Sequence, residues 1–223
     1  VKVRQAPRDF LEEIGALQRP KLEPPATLIW SPSEFLEMLD CAPAAAVSFL
    51  VLGGLCGLRS SEILRADWSH LTPDGSHIAV ITRKGRSPSR RLVPLCDLSK
   101  KQLNRVNRGK GPICEYTREQ YVIRTIIAAV NEVRARAKNP EKFLWRENAL
   151  RHSYGTYRVA LTGDVSRTSL EMGNSPSMIV KHYLQLVTKQ DAERFFDLSK
   201  RRASTQRVEP APDDAASPPP HVE

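Results

Sequence analysis

Apolar and polar positions along the chain repeat with two different periods, and the change of period divides it into elements. S-P-S-E at Ser31 opens the first element. A serine that can accept from a free amide, proline at the first helical position and a glutamate behind them form a capping box, which predicts a helix from Pro32 to Asp40. The run A-P-A-A-A-V-S-F-L-V-L-G-G-L-C from residue 42 has no polar face and predicts a buried helix closing near Gly57. It is too short and too rich in small residues to span a bilayer. Further on, H-I-A-V-I-T and R-L-V-P-L flank the charged turn R-K-G-R-S-P-S-R, which predicts a β-hairpin with a basic loop.

Beyond the hairpin the helical period returns. T-R-E-Q at Thr117 reads as a second capping box opening a long amphipathic helix to about Lys138. Further helices are expected at 147–161, 164–172, 176–186 and 189–198, with Gly163 and Gly173 as stops. Ser175 before Pro176 is a start signal, and Ile179, Tyr183 and Leu186 then share one face. Taken alone, that spacing marks Tyr183 as a core residue. Residues 1–27 combine an amphipathic piece, R-D-F-L-E-E-I-G-A-L, with R-P-K-L-E-P-P, and read as an extended linker from something upstream. Residues 199–223 lack apolar periodicity and are expected to form a disordered Pro- and Ala-rich tail. Between them, residues 28–198 make a mainly α domain with a small antiparallel β-sheet, an α+β class.

Composition narrows the partners. Of 223 residues 40% are hydrophobic, enough for one folded domain. With 34 Lys and Arg against 25 Asp and Glu the formal charge is +9, which points to a polyanion, most simply nucleic acid. Cys41, Cys56, Cys96 and Cys114 lie far apart with no C-x-x-C pair, so neither a zinc site nor a disulfide framework is indicated, and a reducing compartment is expected. The first residues lack the pattern of a signal peptide, and the chain begins with Val; a piece of a longer protein is expected.

Three separated segments carry candidate chemistry: C-G-L-R-S-S-E-I-L at 56–64, N-A-L-R-H-S-Y-G-T-Y at 148–157, and E-M-G-N-S-P-S-M-I-V-K-H-Y at 171–183. With the K-G turn of a hairpin ending in L-V-P-L, they resemble the catalytic domain of the tyrosine recombinase, or phage integrase, family over about residues 28–198. The resemblance implies that Arg59 and Arg151 clamp the scissile phosphate, that Lys84 is the hairpin lysine, that Tyr183 is the nucleophile and that Glu62 supports the first arginine. It further implies an upstream DNA-binding domain of which residues 1–27 are the linker and remnant, double-stranded DNA as partner, a homo-oligomer on paired DNA sites, no cofactor, and a cytoplasmic, DNA-associated location in a prokaryote.

Elementary chemistry is consistent with those roles. Attack on a phosphodiester concentrates negative charge on its non-bridging oxygens, and planar guanidiniums offer paired donors of permanent charge. A phenol ionises near about 10, and cations favour its phenolate. A lysine can protonate the departing 5′ oxygen, and a covalent phosphotyrosine keeps the energy of the broken bond, so that resealing needs neither ATP nor metal.

Two positions depart from the family pattern. Where the family has His or Lys ahead of the second arginine, and His or Trp ahead of the tyrosine, this chain has Asn148 and Asn174. An amide can donate to a phosphate oxygen but cannot exchange a proton near neutral pH. Both asparagines are therefore expected as phosphate donors, in an enzyme of slower chemistry or in a domain that binds DNA and rarely cuts. A topoisomerase-like relaxing enzyme is a further alternative. His152 and His182 adjoin the expected sites, but neighbouring helical residues point about 100° apart, so neither is expected to replace the missing imidazole. Arg83, Arg86, Arg90 and Arg91 of the hairpin are expected to contact the DNA backbone.

Overall fold

The computed structural model of the chain describes residues 27–82, 89–138, 141–183 and 187–197. Helix α1 (Pro32–Cys41) precedes α2 (Ala44–Leu50), which runs on as a π-helical turn, Val51–Leu55. A short helix α3 (Ser60–Ile63) and a 3-10 turn (Trp68–His70) lead to strands β1 (His77–Thr82) and β2 (Ser89–Pro94). The remaining helices are α4 (Asp97–Val106), α5 (Glu119–Arg136), α6 (Ala149–Thr162), α7 (Val165–Met172), α8 (Pro176–Tyr183) and α9 (Lys189–Phe196). This is the mainly helical arrangement with a small antiparallel sheet that the residue pattern predicts. The expected tail, the upstream amphipathic piece and the hairpin tip lie outside the described residues, as do residues 184–186 at the end of the expected helix 176–186.

Local chemistry accounts for most element ends. At α1 the capping box forms: Ser31 Oγ accepts from the Glu34 amide at 3.2 Å, and Glu34 Oε2 accepts from the Ser31 amide at 2.8 Å. Gly163 and Gly173 end α6 and α7 in the left-handed region, at φ 67° and 63°. Ser175 Oγ accepts from the Met178 amide at 3.3 Å and caps α8. The T-R-E-Q box does not open α5, which starts at Glu119 behind Arg118 with no side-chain cap.

The strands pair from His77 with Pro94 to Thr82 with Ser89. Below them the core runs through Phe35 and Met38 of α1, the π-helical turn, Tyr154 and Tyr157 of α6, and Phe195 of α9. Phe195 stacks on Tyr157 with ring centres 4.3 Å apart and meets Phe35 at 4.8 Å. Helix α9 thus folds onto its own domain, with Phe195 and Phe196 buried. All four cysteines are free thiols. Among the described residues no helix is long and apolar enough to cross a membrane.

Candidate active site

The last carbonyls of a helix have no partner within it and carry partial negative charge. At the C-terminal end of α7 those carbonyls accept from three arginines brought in from three other elements. Glu171 O takes Arg91 Nε at 2.8 Å, Met172 O takes Arg151 Nη2 at 2.6 Å and Gly173 O takes Arg59 Nη2 at 3.2 Å. Gly173 then turns the chain through its left-handed conformation, and the side chain of Asn174 enters the same cluster. Its Oδ1 accepts from Arg59 Nη2 at 2.7 Å and from Arg151 Nη2 at 3.0 Å. Two guanidiniums from distant parts of the sequence meet at one oxygen.

Arg59 stands at the start of α3. Its main-chain N–H donates to Glu62 Oε2 at 2.9 Å and its Nη1 to Oε1 at 3.2 Å. Glu62 is buried, and Arg91 grips it from β2 with both nitrogens, at 3.1 and 2.7 Å. Burial alone would raise the Glu62 pKa, but the hydrogen bonds from Arg91 and the Arg59 amide, with both positive charges, bring it below the ordinary glutamate value. The carboxylate stays ionised. Among the described residues Arg151 meets no carboxylate: its Nη1 donates to Gly57 O, and its other partners are Met172 O and Asn174. It is only 8% exposed. Burial, and then repulsion from Arg59, lower its pKa to about 10, so it remains a cation at neutral pH. Two guanidiniums therefore share one carboxylate and a third stands beside them with neutral acceptors, so the cluster keeps a surplus of positive charge suited to a tetrahedral anion.

Tyr183 ends α8 and is 5% exposed. It packs on α6 over Gly155, where a Cβ would come within 2.7 Å of the phenol ring, so glycine is what allows the two helices to meet there. The helix it packs on, α6, is the one that carries Arg151. His152 is the residue that the sequence reading set aside. Its ring centre lies 5.2 Å from that of Tyr183, and its buried Nδ1 has no hydrogen-bond partner among the described residues. Burial, followed by His182 and Arg151, lowers its pKa and keeps it neutral. The available signal was spacing, since His152 and Gly155 are one helical turn apart and face the same tyrosine.

Asn148 begins α6 in the left-handed region at φ 56°, a conformation asparagine tolerates better than most residues. It is exposed and lines a cleft with Arg59, Ser60, Glu119, Trp145 and Arg151. Ser60 Oγ donates to Glu119 there at 2.5 Å. Arg90 is exposed, as expected of a backbone contact, but Arg91 is turned inward onto Glu62 and Glu171. Strand alternation explains the difference: Arg91 shares a face with buried Val93 and Leu95, and Arg90 with exposed Leu92. Lys84, Arg83 and Arg86 lie outside the described residues. Among the described residues no group of three or more His, Cys, Asp or Glu side chains is placed to hold a metal ion.

No family model and no curated protein matches the chain by sequence. Solved structures do match in shape. A XerA recombinase superposes with a TM-score of 0.55 at 17% identity, over 87% of this chain and 68% of that one. The Tn1549 transposon integrase in complex with circular-intermediate DNA gives 0.52 at 13%, over 84% and 67%. A lambda integrase dimer bound to a COC′ core site gives 0.52 at 16%, over 77% and 68%. At these identities the likeness is one of fold: the chain has the fold of tyrosine recombinase catalytic domains.

Proposed function

We propose that the chain is a site-specific recombinase of the tyrosine type, cutting and rejoining DNA strands through a covalent 3′-phosphotyrosyl intermediate without ATP or metal. The observation that carries this reading is the convergence of Arg59 and Arg151 on one oxygen, 2.7 and 3.0 Å away, beside the helix on which Tyr183 packs. In the proposed reaction Tyr183 Oη attacks phosphorus and loses its proton to solvent. The bond from phosphorus to the 5′ oxygen breaks, and that oxygen takes a proton from Lys84. Attack by a 5′ hydroxyl reverses each step and releases the phenol. Negative charge peaks on the non-bridging oxygens, where the guanidiniums stabilise it more than they stabilise the ground state. Asn148, at the mouth of the cleft, donates its amide N–H to the phosphate. Arg83, Arg86 and Arg90 are assigned to the DNA backbone, and Arg91 with Glu62 to positioning Arg59.

The chain is further proposed to work as a homo-oligomer on paired DNA sites; the lambda integrase neighbour, a dimer on a core site, supports that assignment. A second reading, a DNA-binding relative that rarely cuts, is favoured by the burial of Tyr183. Trapping on a nicked duplex separates the two. The enzyme forms a covalent adduct that is lost in Tyr183→Phe, whereas a binding relative shifts the DNA and forms no adduct with either chain. Relaxation of supercoiled plasmid lacking any special site would instead identify a topoisomerase-like enzyme.

A further inference from the structure

We infer that the Asn174 side chain occupies the phosphate site of its own protein: its Oδ1 stands where a phosphate oxygen is to sit, and binding of DNA requires that amide to leave. The inference rests on the reading above and adds a means by which the site is kept closed.

The geometry is that of an acceptor held by two cations. Arg59 Nη2 and Arg151 Nη2 approach Asn174 Oδ1 at 2.7 and 3.0 Å, within the range of charge-assisted hydrogen bonds to an anion. Among the described residues it is the one acceptor the two arginines share. Every other partner of Arg151 is a main-chain carbonyl, held in place by the fold: Gly57 O and Met172 O. The Asn174 main chain is fixed too, its amide donating to Ser169 O at 3.0 Å at the end of α7. What remains free to move is the side chain, which needs only rotation about its own torsions to withdraw.

The chemistry of the acceptor decides its role. An amide oxygen carries a partial charge and satisfies the two donors without neutralising either cation, so the cluster keeps its attraction for a phosphate. A carboxylate in the same place would neutralise one of them and hold on more strongly. The amide is thus a weak occupant that a phosphodiester displaces. The N–H face of this amide, which the sequence reading assigned to the phosphate, cannot be the face turned to the arginines, because guanidiniums only donate.

Titration of the full chain with inorganic phosphate, followed through the side-chain Nε resonances of Arg59 and Arg151, tests the inference. Asn174→Ala removes the competitor and is expected to tighten phosphate binding on the order of fivefold, the worth of about 1 kcal/mol of hydrogen bonding. Asn174→Asp is expected to weaken it at least about tenfold while raising the melting temperature, because the occupant is now charged. The Asp variant also serves should the Ala variant fold poorly. Weaker or unchanged binding by a folded Ala variant overturns the inference, as does an Asp variant that binds phosphate like the native chain or an absence of binding in all three. Binding by the Ala variant alone supports it. These titrations need no cleavage, so loss of the recombinase reading, seen as no adduct on nicked DNA, is distinguishable from loss of this one.

Discussion

Two groups of arginines in this molecule look alike in sequence and differ in how their charge is balanced. On the side of α1 and α5, Arg134 and Arg146 each have a carboxylate of their own. Arg134 binds Glu37 through two bonds of 2.7 Å, and Arg146 binds Glu34 at 2.5 and 3.1 Å while covering the ring of Trp30. At the end of α7, Arg59 and Arg91 share Glu62, Arg151 meets no carboxylate among the described residues, and the other acceptors of all three are neutral carbonyl oxygens. Paired charges hold helices together and attract little from solution. Carbonyls at a helix end hold guanidiniums in position without cancelling them, which makes the second group a standing attraction for an anion. What accepts from the arginines is what separates the two groups.

The comparison breaks if the two groups behave alike. Under the proposed reaction Arg151→Met should lower single-turnover strand cleavage by about 10² to 10³ fold, the loss typical of one oxyanion donor. It should also cost about 1–3 kcal/mol of stability, because acceptors buried around Gly57 and Met172 lose their donor. Arg146→Met should cost a similar amount of stability and leave the cleavage rate of the folded fraction within about threefold. Denaturant unfolding and adduct formation, measured well below both melting points, give the two numbers. Equal losses of cleavage would show that charge balance does not distinguish the groups.

Glu62 sharpens the comparison, since among the described residues it is the carboxylate that Arg59 and Arg91 share. Its pKa is lower in the folded chain than the ordinary 4.5, so its contribution is fully present above that value and fades as pH falls through the depressed one. Glu62→Gln should therefore be less stable than the native chain at neutral pH by about 1–3 kcal/mol, and the gap should close in acid. Glu34 and Glu171 are shifted the same way, so both chains keep an acid limb and the difference between the curves isolates Glu62. A gap that stays constant from neutral pH to acid would mean that the carboxylate's charge contributes nothing.

Much of this was legible in the residues. The Ser31 box, the glycine stops at Gly163 and Gly173 and the hairpin are decided by neighbours in sequence, and they formed where expected. The meeting of Arg59, Glu62 and Arg151 followed from the resemblance of short segments. What escaped depends on contacts between elements. Nothing local says that an asparagine after a helix turns its oxygen, rather than its nitrogen, toward two arginines. His152 reaches Tyr183 because Gly155 lets α8 lie close, a fact about two helices together. The inward turn of Arg91 was open to reading, because a strand alternation inside the basic run already put it on the face of Val93 and Leu95.

That alternation supplies the smallest test. If Arg90 neutralises one DNA phosphate, Arg90→Ala should reduce the slope of log affinity against log salt by about 0.9, while changing folding stability by less than about 0.5 kcal/mol. Arg91→Ala should do the opposite. The slope should hold, because all three nitrogens of that guanidinium are bonded to Glu62 and Glu171 O on the inward face of the strand, and stability should fall as Glu62 loses its bidentate partner. Binding isotherms across a salt series, paired with melting curves for each variant, read both quantities. A flatter slope for Arg91→Ala at unchanged stability would return that residue to the surface group, and the strand face would then not decide which arginine meets DNA.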